Sequence, residues 1–188
     1  FICKTFIALV LTTVSIYAQS AFNNGLTAIE NGDYKKAIEQ FSIVIKENPK
    51  NAVAYYKRAN AYYNLDDTSA AITDWTQAIK IDPNYADAYY NRANAQKKLG
   101  DYGGAIADYS QVIEIDPNYA RAYNNRGGAY YRLADYDRAI ADFTKAIKID
   151  PNYAMAYYNR SSVYAEQGND KEATKDGEKA CELGLCGF

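Results

Sequence analysis

Histidine is absent from the 188 residues. Without imidazole there is no Ser-His-Asp triad, no Cys-His dyad and no His-ligated metal site. Cysteine is scarce at 3, and two cysteines near the end of the chain with no histidine do not make a zinc site. Neither sign of charge dominates. The 21 cations and 23 anions leave a net charge of −2, which argues against nucleic acid held by bulk charge. Apolar residues nonetheless reach 48%, enough to bury a core, and tyrosine is abundant at 20 residues.

The one mostly apolar run stands at the start. FICKTFIALVLTTVSIYAQS carries a single cation, Lys4, and a short apolar stretch that closes on the small residue Ala18. Spanning a bilayer takes roughly 20 apolar residues, so the run is short for a membrane helix. It is expected to be a cleaved export signal over 1–18, which places the protein in the periplasm, the envelope or the medium. An uncleaved anchor and a buried first helix are the alternatives. Removing the segment leaves 20 cations against 23 anions. In an exported protein Cys181 and Cys186 can pair; otherwise they are two small apolar residues.

Proline is rare, at 4, but it is not scattered. Pro49, Pro83, Pro117 and Pro151 are each 34 residues apart, and IDPNYA recurs at Ile81–Ala86, Ile115–Ala120 and Ile149–Ala154. Cut at that period, the chain gives five units: 18–51, 52–85, 86–119, 120–153 and 154–187. Numbering positions from 1 within each unit, a first helix is expected over about positions 2–14. A second follows over about positions 18–31 and stops at Asp-Pro, because proline cannot continue a helix. The turns between them read NGDY at Asn31–Tyr34, LGDY at Leu99–Tyr102 and LADY at Leu133–Tyr136. Glycine ends one helix and aspartate opens the next. Tyr85, Tyr119 and Tyr153 are expected to plug the junctions between hairpins.

Fixed positions carry fixed residue types. Unit 52–85 has Tyr55, Ala59, Tyr62, Ala71, Trp75, Ala78 and Pro83; unit 120–153 has Tyr123, Gly127, Tyr130, Ala139, Phe143, Ala146 and Pro151. Unit 86–119 departs only with Gln96 and Val112. This alternation of aromatic and small residues resembles the tetratricopeptide repeat. The resemblance implies an all-α, right-handed superhelix (α-solenoid) of antiparallel helix hairpins and a protein-interaction scaffold, with no catalytic site, cofactor or metal expected. The end units depart from the pattern, with Ala21, Ala28 and Gly177 where aromatics are usual, either as caps or because more helix packs there.

Position 7, usually leucine in that family, is Arg58, Arg92, Arg126 and Arg160; position 23 is Asp74, Asp108, Asp142 and Asp176. Unit 18–51 lacks both, with Asn24 and Gln40. Residue types that change together between copies point to structural ion pairs between the two helices of a unit.

At about 100° per residue, positions 2, 5, 6, 9, 12 and 13 of the first helix fall opposite the face that packs on the second. Stacked units make that free face a groove, the binding surface that the resemblance implies. Its residues are Val53, Tyr56, Lys57, Asn60, Tyr63 and Asn64, then Asp87, Tyr90, Asn91, Asn94, Lys97 and Lys98, then Arg121, Asn124, Asn125, Gly128, Tyr131 and Arg132. Rings, amides and five cations suit an extended protein or peptide segment of acidic character. The alternative is a solvated face with tyrosines stacked along it. The carboxylate clamp of the chaperone-binding repeats is matched at Asn60, Asn91 and Arg121 but lost at Tyr56 and Asn125. Phe22, Leu26 and Ile29 form an apolar stripe on the same face of unit 18–51, expected to be a pocket or to be covered by another chain. YGG at Tyr102–Gly104 and RGG at Arg126–Gly128 follow no strand and are not phosphate loops. Asn159-Arg160-Ser161 matches a glycosylation acceptor inside a predicted helix. The chain does not open on Met, so an accessory domain of a larger protein or enzyme, or a self-association module, stays open beside the scaffold.

Overall fold

The computed structural model describes residues 17–186. The expected export signal, and Cys3 with it, lies outside the described residues save for Tyr17 and Ala18, which belong to the first helix, α1, described over 17–30. Nine helices follow: α2 (Tyr34–Glu47), α3 (Ala52–Asn64), α4 (Thr68–Ile81), α5 (Ala86–Lys98), α6 (Tyr102–Ile115), α7 (Ala120–Arg132), α8 (Tyr136–Ile149), α9 (Ala154–Glu166) and α10 (Asp170–Glu182). Among the described residues there is no strand, and no helix is long and apolar enough to cross a membrane.

Local chemistry sets these boundaries. Asp33, Asp67, Asp101 and Asp135 each accept a hydrogen bond from the backbone N–H three residues on, at 2.9–3.2 Å, which satisfies an orphan donor at the start of the second helix of a hairpin. At the other end Asp116 and Asp150 stand before the prolines and accept from the N–H of Asn118 and Asn152, turning the chain toward the next first helix. The residue before each capping aspartate, and the one before Asn169, adopts a left-handed conformation. Glycine takes it at Gly32, Gly100 and Gly168, but Asp66 and Ala134 hold φ of 61° and 57° at the equivalent place.

Contacts divide the chain into two compact units, one ending at Ala88 and the other starting at Tyr89. In the first, Ala21, Ala28, Ala37, Phe41 and Ala54 form a core under α1–α3. Phe22, Leu26 and Ile29 pack against this core, with the Phe22 ring edge-on to Phe41 at 5.7 Å. The apolar stripe thus packs partly onto the hydrophobic centre of its own unit, and each of its three residues stays half-buried. In the second unit, Tyr109 sits between Ala93 and Ala105, and Phe143 packs with Ala139 and Val163.

Small residues let paired helices close around these rings. A Cβ at Gly127 would stand 2.8 Å from Phe143, and one at Gly25 would stand 2.8 Å from Phe41. Glycine is thus demanded where phenylalanine fills the hairpin. A disulfide joins Cys181 to Cys186 across the end of α10.

Candidate functional site

The four arginines and four aspartates meet. Arg58 reaches Asp74 through Nε at 2.6 Å and Nη2 at 2.9 Å, and the same two-pronged pairing joins Arg92 to Asp108, Arg126 to Asp142 and Arg160 to Asp176 at 2.6–2.8 Å. The carboxylates are buried and the guanidinium groups half-buried. The hydrogen bond to aspartate raises each arginine's pKa further, against an opposing effect of burial, so the charge is fixed.

Each arginine does more than pair. Arg58 lies 5.6 and 5.9 Å from the ring centres of Tyr55 and Tyr62, and Arg126 lies 5.6 and 6.0 Å from those of Tyr123 and Tyr130. A third donor crosses to the preceding hairpin: Arg58 to Ser42, Arg126 to Ser110 and Arg160 to Thr144, all at 2.9 Å. One guanidinium thus ties three helices. Sequence reasoning missed the hydroxyls, although Ser42, Thr76, Ser110 and Thr144 recur at one position, 16 residues before each arginine. Gln96, where the neighbouring units have tyrosine, places the end of its amide beside Asp108 Oδ2 and the Gly104 carbonyl, and with its nitrogen on that side it donates to both, at 3.1 and 3.2 Å.

The amides expected to bond a ligand backbone are already engaged. Asn60 accepts from Trp75 Nε1 at 3.0 Å, and Asn94 accepts from Tyr109 Oη at 2.5 Å. Asn125 donates to Tyr90 Oη at 2.9 Å and to Asn94 at 3.2 Å. Asn124 is only 4% exposed and accepts from Asn159 at 2.9 Å. These residues brace the first helices to their neighbours, so each amide faces the groove with part of its hydrogen-bonding capacity already used. Asn159 is half-buried inside helix α9, so the Asn159-Arg160-Ser161 pattern does not stand on a surface loop.

The rings are stacked as well. Tyr56 lies on Tyr85 at 4.8 Å with Lys57 Nζ 5.8 Å from its ring, and Tyr63 lies 5.6 Å from Trp75. Tyr90 contacts Tyr119 at 5.2 Å and Tyr109 at 5.8 Å, and burial pushes its hydroxyl's pKa up. Tyr131 stacks on Tyr136 at 5.9 Å. Asn64 folds back onto the Asn60 carbonyl at 2.8 Å. Asn91 is half-buried, and Lys98 and Arg121 are exposed.

Five of the expected residues, Lys97, Asn124, Asn125, Gly128 and Arg132, do come together in the second unit. They line a depression of about 350 Å³ on the first-helix face. Tyr102 and Asn159 complete it, and the Arg132 guanidinium lies 5.5 Å from the centre of the Tyr102 ring. Tyr102 reads in sequence only as a turn residue; the signal missed was Arg132 above it, one repeat along. Burial lowers the pKa of Lys97, and among the described residues neither Lys97 nor Arg132 is paired with a carboxylate. No group of three or more acidic or cysteine side chains among the described residues is placed to hold a metal ion.

Family models described as TPR repeat match residues 25–66, 65–100 and 97–134, and models described as tetratricopeptide repeat match 120–153 and 143–175. The chain belongs to the tetratricopeptide repeat family. Its fold is the all-α solenoid of that family, and the family's arrays are scaffolds that bind protein or peptide partners. The crystal structure of a MamA protein is similar at 27% identity over 89% of this chain and 91% of that one, with a TM-score of 0.84. MamA from Desulfovibrio magneticus RS-1 is similar at 23% identity over 89% and 94%, with a TM-score of 0.84. YrrB, described as a TPR protein with an unusual peptide-binding site, is similar in fold at 21% identity over 87% and 84%, with a TM-score of 0.78. No curated protein matches the chain.

Proposed function

We propose that this tetratricopeptide repeat protein is an exported, non-catalytic scaffold that holds an acidic segment of a partner protein against its first-helix face. The observation that carries the reading is the depression flanked by Lys97 and Arg132, two cations without carboxylate partners in a chain whose net charge is −2. Arg121 and Lys98 stand exposed on the same helices and extend the positive field. The amides and rings are committed to the protein's own packing, so they present a rigid surface rather than adaptable contacts. Rigidity lowers the entropy cost of binding, and the charges supply encounter rate and selectivity.

Peptide display against the immobilised full chain tests this. Selection should return sequences rich in Asp and Glu. Charge reversal at Lys98 and Arg121 should weaken the selected peptides, most at low salt where screening is least. Binding that survives these changes but is lost on altering exposed residues of α6 and α8 would refute the assignment of the face.

A further inference from the structure

Gly128 lies inside α7, where glycine costs roughly 0.5–1 kcal/mol relative to alanine. Its neighbour Gly127 has a reason in Phe143, but Gly128 has none in the fold: a Cβ there would meet nothing within 4 Å. The space it leaves empty belongs to the depression between Lys97 and Arg132. At the equivalent place Asn60 and Asn94 reach across to Trp75 and Tyr109. Phe143 offers no polar atom, so the side chain at 128 is released from that duty.

Three features converge on this one opening. Arg132, its guanidinium 5.5 Å from the centre of the Tyr102 ring, presents a planar donor fork. Lys97 adds a half-buried ammonium from the preceding repeat. Asn159 commits one of its two N–H groups to Asn124. A half-buried ammonium, an exposed guanidinium and an amide donor favour a compact anion with planar oxygens.

We infer that the depression is a receptor for a single carboxylate side chain, a glutamate or aspartate of the bound segment, with Arg132 and Lys97 on its oxygens and Gly128 keeping the entrance open. This rests on the proposed acidic-segment reading and assigns it a subsite. The two cations stand at positions 12 and 13 of their repeats, outside positions 2, 5, 6 and 9 of the carboxylate clamp, although Gly128 and Asn159 fall at positions 9 and 6.

The test is a heteronuclear NMR titration of the full chain with N-acetyl-glutamate N-methylamide, its glutamine counterpart and inorganic phosphate. The glutamate probe should give saturable shifts at the Gly128 amide, Arg132 Nε and the Asn159 side chain. The glutamine counterpart should bind at least about tenfold more weakly, since it lacks the charge-assisted bonds. Gly128→Leu, which fills the opening, and Arg132→Gln should each abolish the response with the helical spectrum unchanged. Equal binding of glutamate and glutamine probes, shifts spread over surface cations, or saturation by phosphate below the glutamate concentration would each overturn the carboxylate assignment. Should Gly128→Leu cost the fold, Arg132→Gln with the three probes still decides. If displayed acidic peptides bind through Lys98 and Arg121 but ignore Gly128→Leu, the scaffold reading stands and the subsite falls. If no acidic peptide is selected, the scaffold reading falls even where the small probe binds.

Discussion

Two adjacent glycines in one helix should respond to the same substitution with opposite signs. Alanine at either 127 or 128 gains roughly 0.5–1 kcal/mol of helix propensity. At 127 the new methyl stands 2.8 and 3.0 Å from two ring carbons of Phe143 and 3.2 Å from the Ala139 carbonyl oxygen. Phe143 is 1% exposed and cannot swing aside without repacking the hairpin. Overpacking a closed core costs about 1–3 kcal/mol, so Gly127→Ala should lose a net ~1–2 kcal/mol. At 128 nothing lies within 4 Å, so Gly128→Ala should keep the full gain. Urea unfolding of the full chain, followed by circular dichroism at 222 nm, reads the difference as midpoints displaced in opposite directions. Midpoints are the safer measure because repeat arrays can depart from two-state behaviour. Phe143→Leu should relieve the clash, so the double variant should lose less than the two single losses added together. Midpoints that move in the same direction, or strictly additive losses, would refute the packing argument.

Breaking one ion pair should cost more than a surface pair would. Asp142→Asn is expected to lose about 2–4 kcal/mol in the same unfolding assay, and Arg126→Met with Asp142→Leu together less than the sum of the singles, because the single changes strand a partly buried partner. Arg126→Lys should not rescue, since lysine cannot offer the two-pronged fork or lie flat between Tyr123 and Tyr130. Ala134→Gly and Asp66→Gly should each stabilise by about 1 kcal/mol, because φ of 57° and 61° strains a residue with a Cβ; a lowered midpoint refutes this. For export, the mature protein should begin at Gln19 when its N-terminus is sequenced, and recovery of the intact leader from the cytosol refutes the proposed location.

Repetition made much of this legible. Prolines at a fixed interval mark hairpin ends, and aspartates before apolar runs mark helix starts, because both act through the local backbone. The arginine–aspartate pairs were legible for another reason: unit 18–51 lacks both members, so the other copies show which residues answer each other. The free-face assignment came from helical geometry alone and could not register what the neighbouring repeat contributes. Asn124 and Asn125 look solvated on a helical wheel, yet one is buried against Asn159 and the other bridges to Tyr90 and Asn94. Phe22, Leu26 and Ile29 fall on the wheel's outer face for the same reason, although α1 packs them onto the first core. Periodicity within one helix cannot report the tilt at which the next hairpin stacks.

A further internal correlation lay unread in the same alignment of copies. Where the large core residue of the second helix carries a polar atom, as in Trp75 and Tyr109, an asparagine answers it from the first helix, at Asn60 and Asn94. A buried donor without a partner costs about 1–3 kcal/mol, so the asparagine is tied inward and its place on the free face is closed to ligands. Where the core residue is Phe143, there is no donor to satisfy and the facing position is released. It can then be glycine, and the space opens between the cations of two successive repeats. The site proposed for ligand follows from a choice made in the core: an apolar ring on the second helix frees a position on the first. In an array whose hairpins are otherwise near copies, a departure at a core position can create a feature on the exposed surface without disturbing the ion pairs that hold the helices in register.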